Sequence, residues 1–564
     1  MISVSGREWK AKKVNKRLVE KIKQEYNFSE IVSNLIVSRD FDKKEIYLIN
    51  NDLELSNSFQ NNSDFINSVN LVEKAIKNKE KICILGDYDV DGSASTSLLV
   101  NFFQSLNHSH FYYIPDRVKD GYGASKKIFK KLISKNPKLV IMVDCGSTSI
   151  DAIDYLNKNN INSLIIDHHE ISRPYPKANM IINPKKNNGY LKYDYLCATS
   201  LTYFFLEMLV KKIKCKINLK EYLINVLLAT ICDVMPLRKL NRLIAIKVIN
   251  EFKITQNEVF KELYRLNDKK NKITINDLGY LIGPILNAGG RLGKSNYATE
   301  LLSTKDHRKI NKRSSELIEL NNKRKKIEAA ILKNIDIKKL KDRNENIIFY
   351  YNPNINEGLI GIIASRLKDH FNKPSIVITN SNNILKGSAR SIYNYNIGGA
   401  IKLSLDRNLI ISGGGHNMAA GFSLKKEDLS DFKSFIENDF SKNKLSIINH
   451  YLYDFEASSS IINKNFYEDI KKMEPFGVGN PLPIFLFRDL KIIKSSLLKE
   501  KHVFCILKSK KGFSINSIAF DSYNTEIGKY LLNYKKNLNV MGQISENFWN
   551  SKKTLQLIIK DLIL

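Results

Sequence analysis

The sequence predicts an α/β protein of several domains: a doubly wound parallel sheet, a connector helix, a second α/β domain and a C-terminal β-barrel. Three observations carry that expectation. Apolar runs at Ile82–Leu85, Leu139–Val143 and Leu164-Ile165-Ile166 alternate with helix-like segments, as buried parallel strands and their crossover helices do. Residues about 306–343 are Lys-rich and place Leu317, Leu320, Ile327 and Ile331 at helical spacing, which reads as a long helix with one apolar stripe. From about residue 446 the chain becomes strand-like, with turns such as Lys508-Ser509-Lys510-Lys511-Gly512, the texture of a small barrel.

A chain of 564 residues is too long for one hydrophobic core. Residues 1–60 are polar with a few apolar anchors and no readable chemistry. Strands and helices alternate over 61–185, and 193–235 reads as helical, ending at Cys232-Asp233-Val234-Met235-Pro236. A second α/β pattern begins at Ile347-Ile348-Phe349-Tyr350-Tyr351 and carries two Gly-rich segments. No apolar run reaches the ~18 residues of a membrane span. The stretch 196–210 carries Glu207 and reads as core, so no membrane association is expected. The N-terminal Met1-Ile2-Ser3-Val4-Ser5 lacks a basic-then-apolar leader pattern, so a cytoplasmic protein is expected. Six cysteines stand singly, as buried small hydrophobes do, which disfavours a cysteine zinc site. The net charge of +31 points to a polyanionic partner, nucleic acid first, although Lys, Asn and Ile are abundant throughout.

The chemistry concentrates at Gly86-Asp87-Tyr88-Asp89-Val90-Asp91-Gly92, between the first apolar run and the helix-like Ser93-Ala94-Ser95-Thr96. Three carboxylates at alternate positions repel one another, and hard divalent cations such as Mg²⁺ or Mn²⁺ offset that repulsion. Taken alone, a solvated acidic loop accounts for the motif as well. Other candidates stand at strand or helix ends: Asp144 in Val143-Asp144-Cys145-Gly146-Ser147, His168 in Asp167-His168-His169-Glu170, and Asp233. Open α/β sheets place their sites at strand carboxyl ends. Asp87, Asp89, Asp91, Asp144, His168 and Asp233 are therefore the expected ligands of two divalent ions. Mn²⁺ is preferred over Mg²⁺ because the set includes an imidazole. Two such ions about 3.5–4 Å apart clamp a phosphoryl group and activate a water. His169 is then available to hydrogen-bond the phosphate, so Asp144, His168 and His169 are the catalytic candidates.

These four motifs, in this order, resemble those of the DHH phosphoesterase superfamily. Glu357-Gly358-Leu359-Ile360-Gly361-Ile362-Ile363-Ala364-Ser365-Arg366 and Gly413-Gly414-Gly415-His416-Asn417-Met418-Ala419-Ala420-Gly421 resemble its DHH-associated substrate-binding domain. Gly387-Ser388-Ala389-Arg390-Ser391 resembles that domain's G-S-x-R-S element, in which amides, hydroxyls and an Arg fork can hold a terminal phosphate. Three further stretches are similar to the RecJ branch of the superfamily, single-strand-specific 5′→3′ DNA exonucleases. They are Pro115-Asp116-Arg117 with Asp120-Gly121-Tyr122-Gly123, Asn287-Ala288-Gly289-Gly290-Arg291-Leu292-Gly293, and Glu474-Pro475-Phe476-Gly477-Val478-Gly479-Asn480-Pro481. Two departures stand out: the Trp-His pair expected before Glu357-Gly358 is missing, and Gly289-Gly290 and Ala389 exchange small residues with the family pattern.

The resemblance implies an N-terminal segment (1–60), a DHH catalytic domain (61–312), a connector helix (313–338), a DHH-associated domain (339–445) and an OB-fold domain binding single-stranded DNA (446–564). It implies phosphate contacts from Arg117, Arg291, Ser388 and Arg390, a stacking or turn role for Tyr122, and His416 reaching into the cleft. Its implied activity is release of 5′-mononucleotides from single-stranded DNA in repair and recombination. A helicase and a single-strand DNA-binding protein are the further partners it suggests. Two other readings remain: a phosphodiesterase for short oligonucleotides or cyclic dinucleotides, and a non-catalytic DNA-binding scaffold.

Overall fold

The architecture is that of a computed structural model, which describes residues 1–116, 119–121, 123–186, 188–270, 272–343, 345–381, 383–443, 450–549 and 552–564. The chain forms two compact units: Leu55–Met235 with Lys247–Ile448, and Met1–Glu54 with Pro236–Ile246 and Asn449–Leu564. No helix among the described residues is long and apolar enough to cross a membrane.

The larger unit begins with a five-stranded sheet ordered His110–Tyr113, Ile82–Leu85, Leu139–Val143, Asn162–Ile166, Met180–Ile182. Every pairing is parallel. The three inner strands bury nearly every residue, which is why they read as continuous apolar runs. The order reverses between Ile82–Leu85 and Leu139–Val143, so the crevice of this sheet opens where Asp87 and Asp144 leave their strands. The helix Val90–Ser105 is buried along almost its whole length. Its first turns are Gly92-Ser93-Ala94-Ser95, small enough to let neighbours approach closely. A Cβ on Gly92 would lie 2.6 Å from the Asp87 backbone nitrogen, so only glycine closes this turn.

The expected helical region over 193–235 is two helices, Ala198–Ile213 and Leu223–Cys232. The expected connector is the 27-residue helix His307–Lys333. It ends at Asn334, and a separate helix, Ile337–Asp342, starts where the Asp336 side chain accepts from the Lys339 amide. Its buried face is apolar at Ile310 and Leu317 but polar at Asn321, Arg324 and Glu328; Leu320, Ile327 and Ile331 are half-buried. A second sheet follows, ordered Ser412–His416, Ala419–Leu424, Ile384–Arg390, Ser375–Ser381, Ile348–Tyr351. It is mixed: only Ile348–Tyr351 and Ser375–Ser381 pair in parallel.

The smaller unit is built on a barrel of Phe485–Leu498, His502–Ser509, Ser514–Ala519, Lys552–Ile563 and Leu538–Trp549, closed by pairing of the first strand with the last. The polar N-terminal segment belongs here. Ile31, Val32 and Leu35 of the helix Glu30–Ser38 share a core with Phe485, Phe487 and Val503 of the barrel. The Asn480 side chain, in the Glu474–Pro481 motif read from the sequence, donates to the carbonyls of Met473 (2.8 Å) and Pro475 (2.9 Å) and accepts from buried Arg39. Arg242, wholly buried, donates to the Met473 and Glu474 carbonyls. In this structure the motif works as a packing knot within the unit.

Candidate active site

The six expected ligands converge at the carboxyl edge of the parallel sheet. Three sets each bring ligand atoms within 4.8 Å of one another: Asp87, Asp89 and Asp144; Asp91, His168 and Asp233; Asp144, His168 and His169. Asp144 follows its strand at φ +59°, a left-handed kink that turns its side chain out of the strand run. Asp89 caps the helix Val90–Ser105, its Oδ1 accepting from the Gly92 amide at 3.0 Å. Asp91 is fixed by the start of Ala198–Ile213. It accepts from the Ala198 and Thr199 amides, both at 2.8 Å, and from the Thr199 hydroxyl at 2.6 Å. A helix N-terminus stabilises a carboxylate there.

Asp144 Oδ1 and His168 Nε2 are buried yet make no hydrogen bond. His168 Nε2 faces Asp144 Oδ1 and Asp233 Oδ2 at 3.4 Å each and Asp91 Oδ2 at 3.7 Å. These separations are too long for good hydrogen bonds. Donor atoms that point at a common space without bonding one another fit a divalent ion. The electrostatics agree. Burial, then the neighbouring Asp91 and Asp89, push Asp233 up to about 8. Burial and the same crowding raise Asp144 far above the ordinary carboxyl range. Burial, then His169, lowers His168 to about 4, so its imidazole is neutral and can ligate at neutral pH.

Asp167 and Asn183, which the sequence reading left unassigned, hold the histidine loop in place. Asp167 Oδ1 accepts from the His169 ring Nδ1 at 2.8 Å and from both histidine amides, and Oδ2 accepts from the Ser147 amide. Burial alone would lower His169, but Asp167 more than offsets it and lifts the ring to about 9. Those bonds hold Asp167 itself well below the usual carboxyl range despite its burial. Asn183 Nδ2 donates to Ser147 Oγ (2.8 Å) and to the His169 carbonyl (3.0 Å). The Asp preceding the two histidines was the signal for Asp167; nothing local marks Asn183.

His416 reaches this centre from the second sheet, its ring stacked on His169 at 6.3 Å between centroids and 11° between planes. Arg291 Nη1 donates to the Gly358 carbonyl at 3.1 Å. Arg390 Nη1 donates to Ser388 Oγ at 3.3 Å. A Cβ on Gly361 would lie 2.9 Å from Arg390 Nη2 and 3.1 Å from Ser388 Oγ, so the first turn of the helix Ile360–Phe371 lies directly against this pair. Amides at a helix start, a hydroxyl and a guanidinium make an anion site. Arg117 and Tyr122 lie outside the described residues.

Comparison with known proteins agrees with this arrangement. Residues 81–232 match the DHH family, N-terminal domain; 344–442 match the DHHA1 domain; 453–561 match the RecJ OB domain. The single-stranded-DNA-specific exonuclease RecJ of Haemophilus influenzae is 30% identical over 522 residues, covering 87% of this chain and 89% of the relative. The protein of the same name from Bacillus subtilis is 28% identical over 572 residues, 99% of this chain and 71% of the relative. The crystal structure of RecJ in complex with Mn²⁺ from Thermus thermophilus superposes with a TM-score of 0.83 at 22% identity, covering 98% of this chain and 79% of that one. A parallel sheet with Asp and His ligands at its carboxyl edge, followed by a DHHA1 domain, defines a DHH-type phosphoesterase. Within that class the chain belongs to the RecJ family.

Proposed function

We propose that this chain is a metal-dependent exonuclease that degrades single-stranded DNA from the 5′ end and releases 5′-mononucleotides. The observation that carries the reading is the convergence of Asp144 Oδ1 and His168 Nε2, both buried and unbonded, with the carboxylates of Asp91 and Asp233 in a chain of the RecJ family. Asp87, Asp89, Asp91, Asp144, His168 and Asp233 would hold two divalent ions, Mn²⁺ preferred or Mg²⁺, which when bound supply an activated water and offset charge on the phosphate. His169, fixed by Asp167 and protonated at neutral pH, donates from its ring to a phosphate oxygen as negative charge grows there. His416 stacks beside it and limits the room in the cleft.

Ser388, Arg390 and the first amides of the helix Ile360–Phe371 bind the 5′-terminal phosphate, and Arg291 guides the strand beside them. The matched spans fall inside the divisions 61–312, 339–445 and 446–564, which supports a catalytic domain, a substrate-binding domain and an OB domain, with the helix His307–Lys333 in place of the expected 313–338 as the connector. The barrel binds the trailing single strand. An enzyme that accepts only single strands calls for a helicase to open duplex and a single-strand DNA-binding protein to present the strand. Repair and recombination in the cytoplasm of a prokaryotic cell are where that reaction belongs. The test is release of acid-soluble nucleotide from single-stranded and duplex DNA in Mn²⁺ and in EDTA. Release from the single strand in Mn²⁺ alone, absent in Asp144→Ala, is expected. Equal release from duplex, or persistence in EDTA, would refute the reading.

A further inference from the structure

Lys185 stands at the mouth of the ligand cluster, and its place there is built in. The Asn183 side chain that bonds Ser147 and the His169 carbonyl also accepts from the Lys185 amide at 2.9 Å, so one amide group ties the Lys185 backbone to the histidine loop. Lys185 Nζ lies 2.9 Å from Glu170 Oε1, and His416 Nδ1 lies 3.9 Å from the same oxygen. The next residue, Lys186, turns away to Asp64 at 3.0 Å. Glu170, which follows the two histidines in the chain, therefore lies between Lys185 and the His416 hairpin. The Lys185 charge is felt at Asp233, at His168 and, after burial, at His416.

The pair is lopsided. The Lys185 side chain is 18% exposed, whereas Glu170 is 67% exposed. The lysine is packed in place and the glutamate is the replaceable partner. An ion pair with so exposed a carboxylate is weak, so a phosphate oxygen can displace it. The cluster beneath it is dominated by carboxylates, so a strand entering this cleft needs a fixed cation.

We propose that Lys185 is a substrate-contacting residue: its ammonium group binds a phosphate oxygen of the strand being cut, exchanging the Glu170 carboxylate for that oxygen. The inference rests on the nuclease reading of the site. Glu170 is then a placeholder that occupies the phosphate position and competes with DNA for Lys185.

Steady-state cleavage of single-stranded DNA in Mn²⁺ by wild type, Lys185→Met, Lys185→Arg and Glu170→Gln tests it. Methionine keeps the packed stem and removes the charge. Lys185→Met should lower kcat/KM by about 10- to 100-fold, chiefly through KM, and flatten the salt dependence by about one ion. Its Mn²⁺ affinity and melting temperature should match wild type. Lys185→Arg should recover most of the loss, and Glu170→Gln should lower KM. Equal losses in Lys185→Met and Glu170→Gln would overturn the proposal in favour of a structural ion pair. So would equal losses in the Met and Arg variants, or a Met variant indistinguishable from an active wild type. An inactive wild type would instead refute the nuclease reading beneath it.

Discussion

Replacing Asp233 with Asn should do two opposite things: abolish cleavage and stabilise the metal-free protein. Asp233 is raised from its ordinary 3.8 to about 8, by burial first and then by Asp91 and Asp89. A carboxyl whose folded pKa is raised holds a proton that the unfolded chain has lost, so stability falls as pH rises between those values. At pH 7 the penalty is at most ~4 kcal/mol by linkage. The side chain keeps 29% exposure and solvent screens part of the repulsion, so a gain of ~1–2 kcal/mol is the working figure. In a protein of 564 residues that is a rise of roughly 1–2 °C in Tm. Melts of wild type and Asp233→Asn in EDTA from pH 4 to pH 8 measure it, with cleavage in Mn²⁺ alongside. The advantage of the Asn variant should be near zero at pH 4 and grow toward pH 8, while its cleavage rate falls by ~10²-fold or more. A variant less stable than wild type in EDTA, or an advantage that ignores pH, would refute the picture of unshielded, mutually repelling ligands.

Asp167→Asn should keep the fold but lower kcat by roughly 10²–10⁴-fold, because it removes the group that fixes and charges the His169 ring; kcat against pH reads this. Arg390→Ala should reduce the preference for a 5′-phosphate over a 5′-hydroxyl end by about 10–100-fold, and equal losses on both ends would remove Arg390 from that role. Deleting residues 449–564 should leave an ill-folded remainder that binds a hydrophobic dye, since Ile31, Val32 and Leu35 lose their core partners in the barrel. A soluble, cooperative remainder would contradict the shared core.

The inner strands were legible because burial on both faces makes their sequences unbroken apolar runs. The flanking strands were not. His110–Tyr113 is half-buried and mixes aromatics with histidine, and Met180–Ile182 has only three residues. The six ligand candidates were legible because they stand at strand ends, at a helix end or in the first turn of a helix, and the structure brings all six together. What holds them was hidden: Asp91 takes its hydrogen bonds from Ala198 and Thr199, more than a hundred residues along the chain. Asn183 and Lys185 were hidden for different reasons, the first because its partners are tertiary, the second because one lysine among 89 Lys and Arg carries no local signal. The N-terminal segment looked independent because its few apolar side chains meet their partners only in the barrel core. The break in the connector at Asn334 turned on one capping aspartate, Asp336, inside an otherwise helix-favouring stretch.

The most direct test of the central claim follows a single-stranded oligonucleotide labelled at its 5′ end and the same strand labelled at its 3′ end, in Mn²⁺, with duplex and EDTA controls. The 5′ label should appear at once as a mononucleotide, while the 3′ label shortens through a ladder and is released last. Early release of the 3′ label, or cleavage confined to fragments of a few nucleotides, would contradict the account.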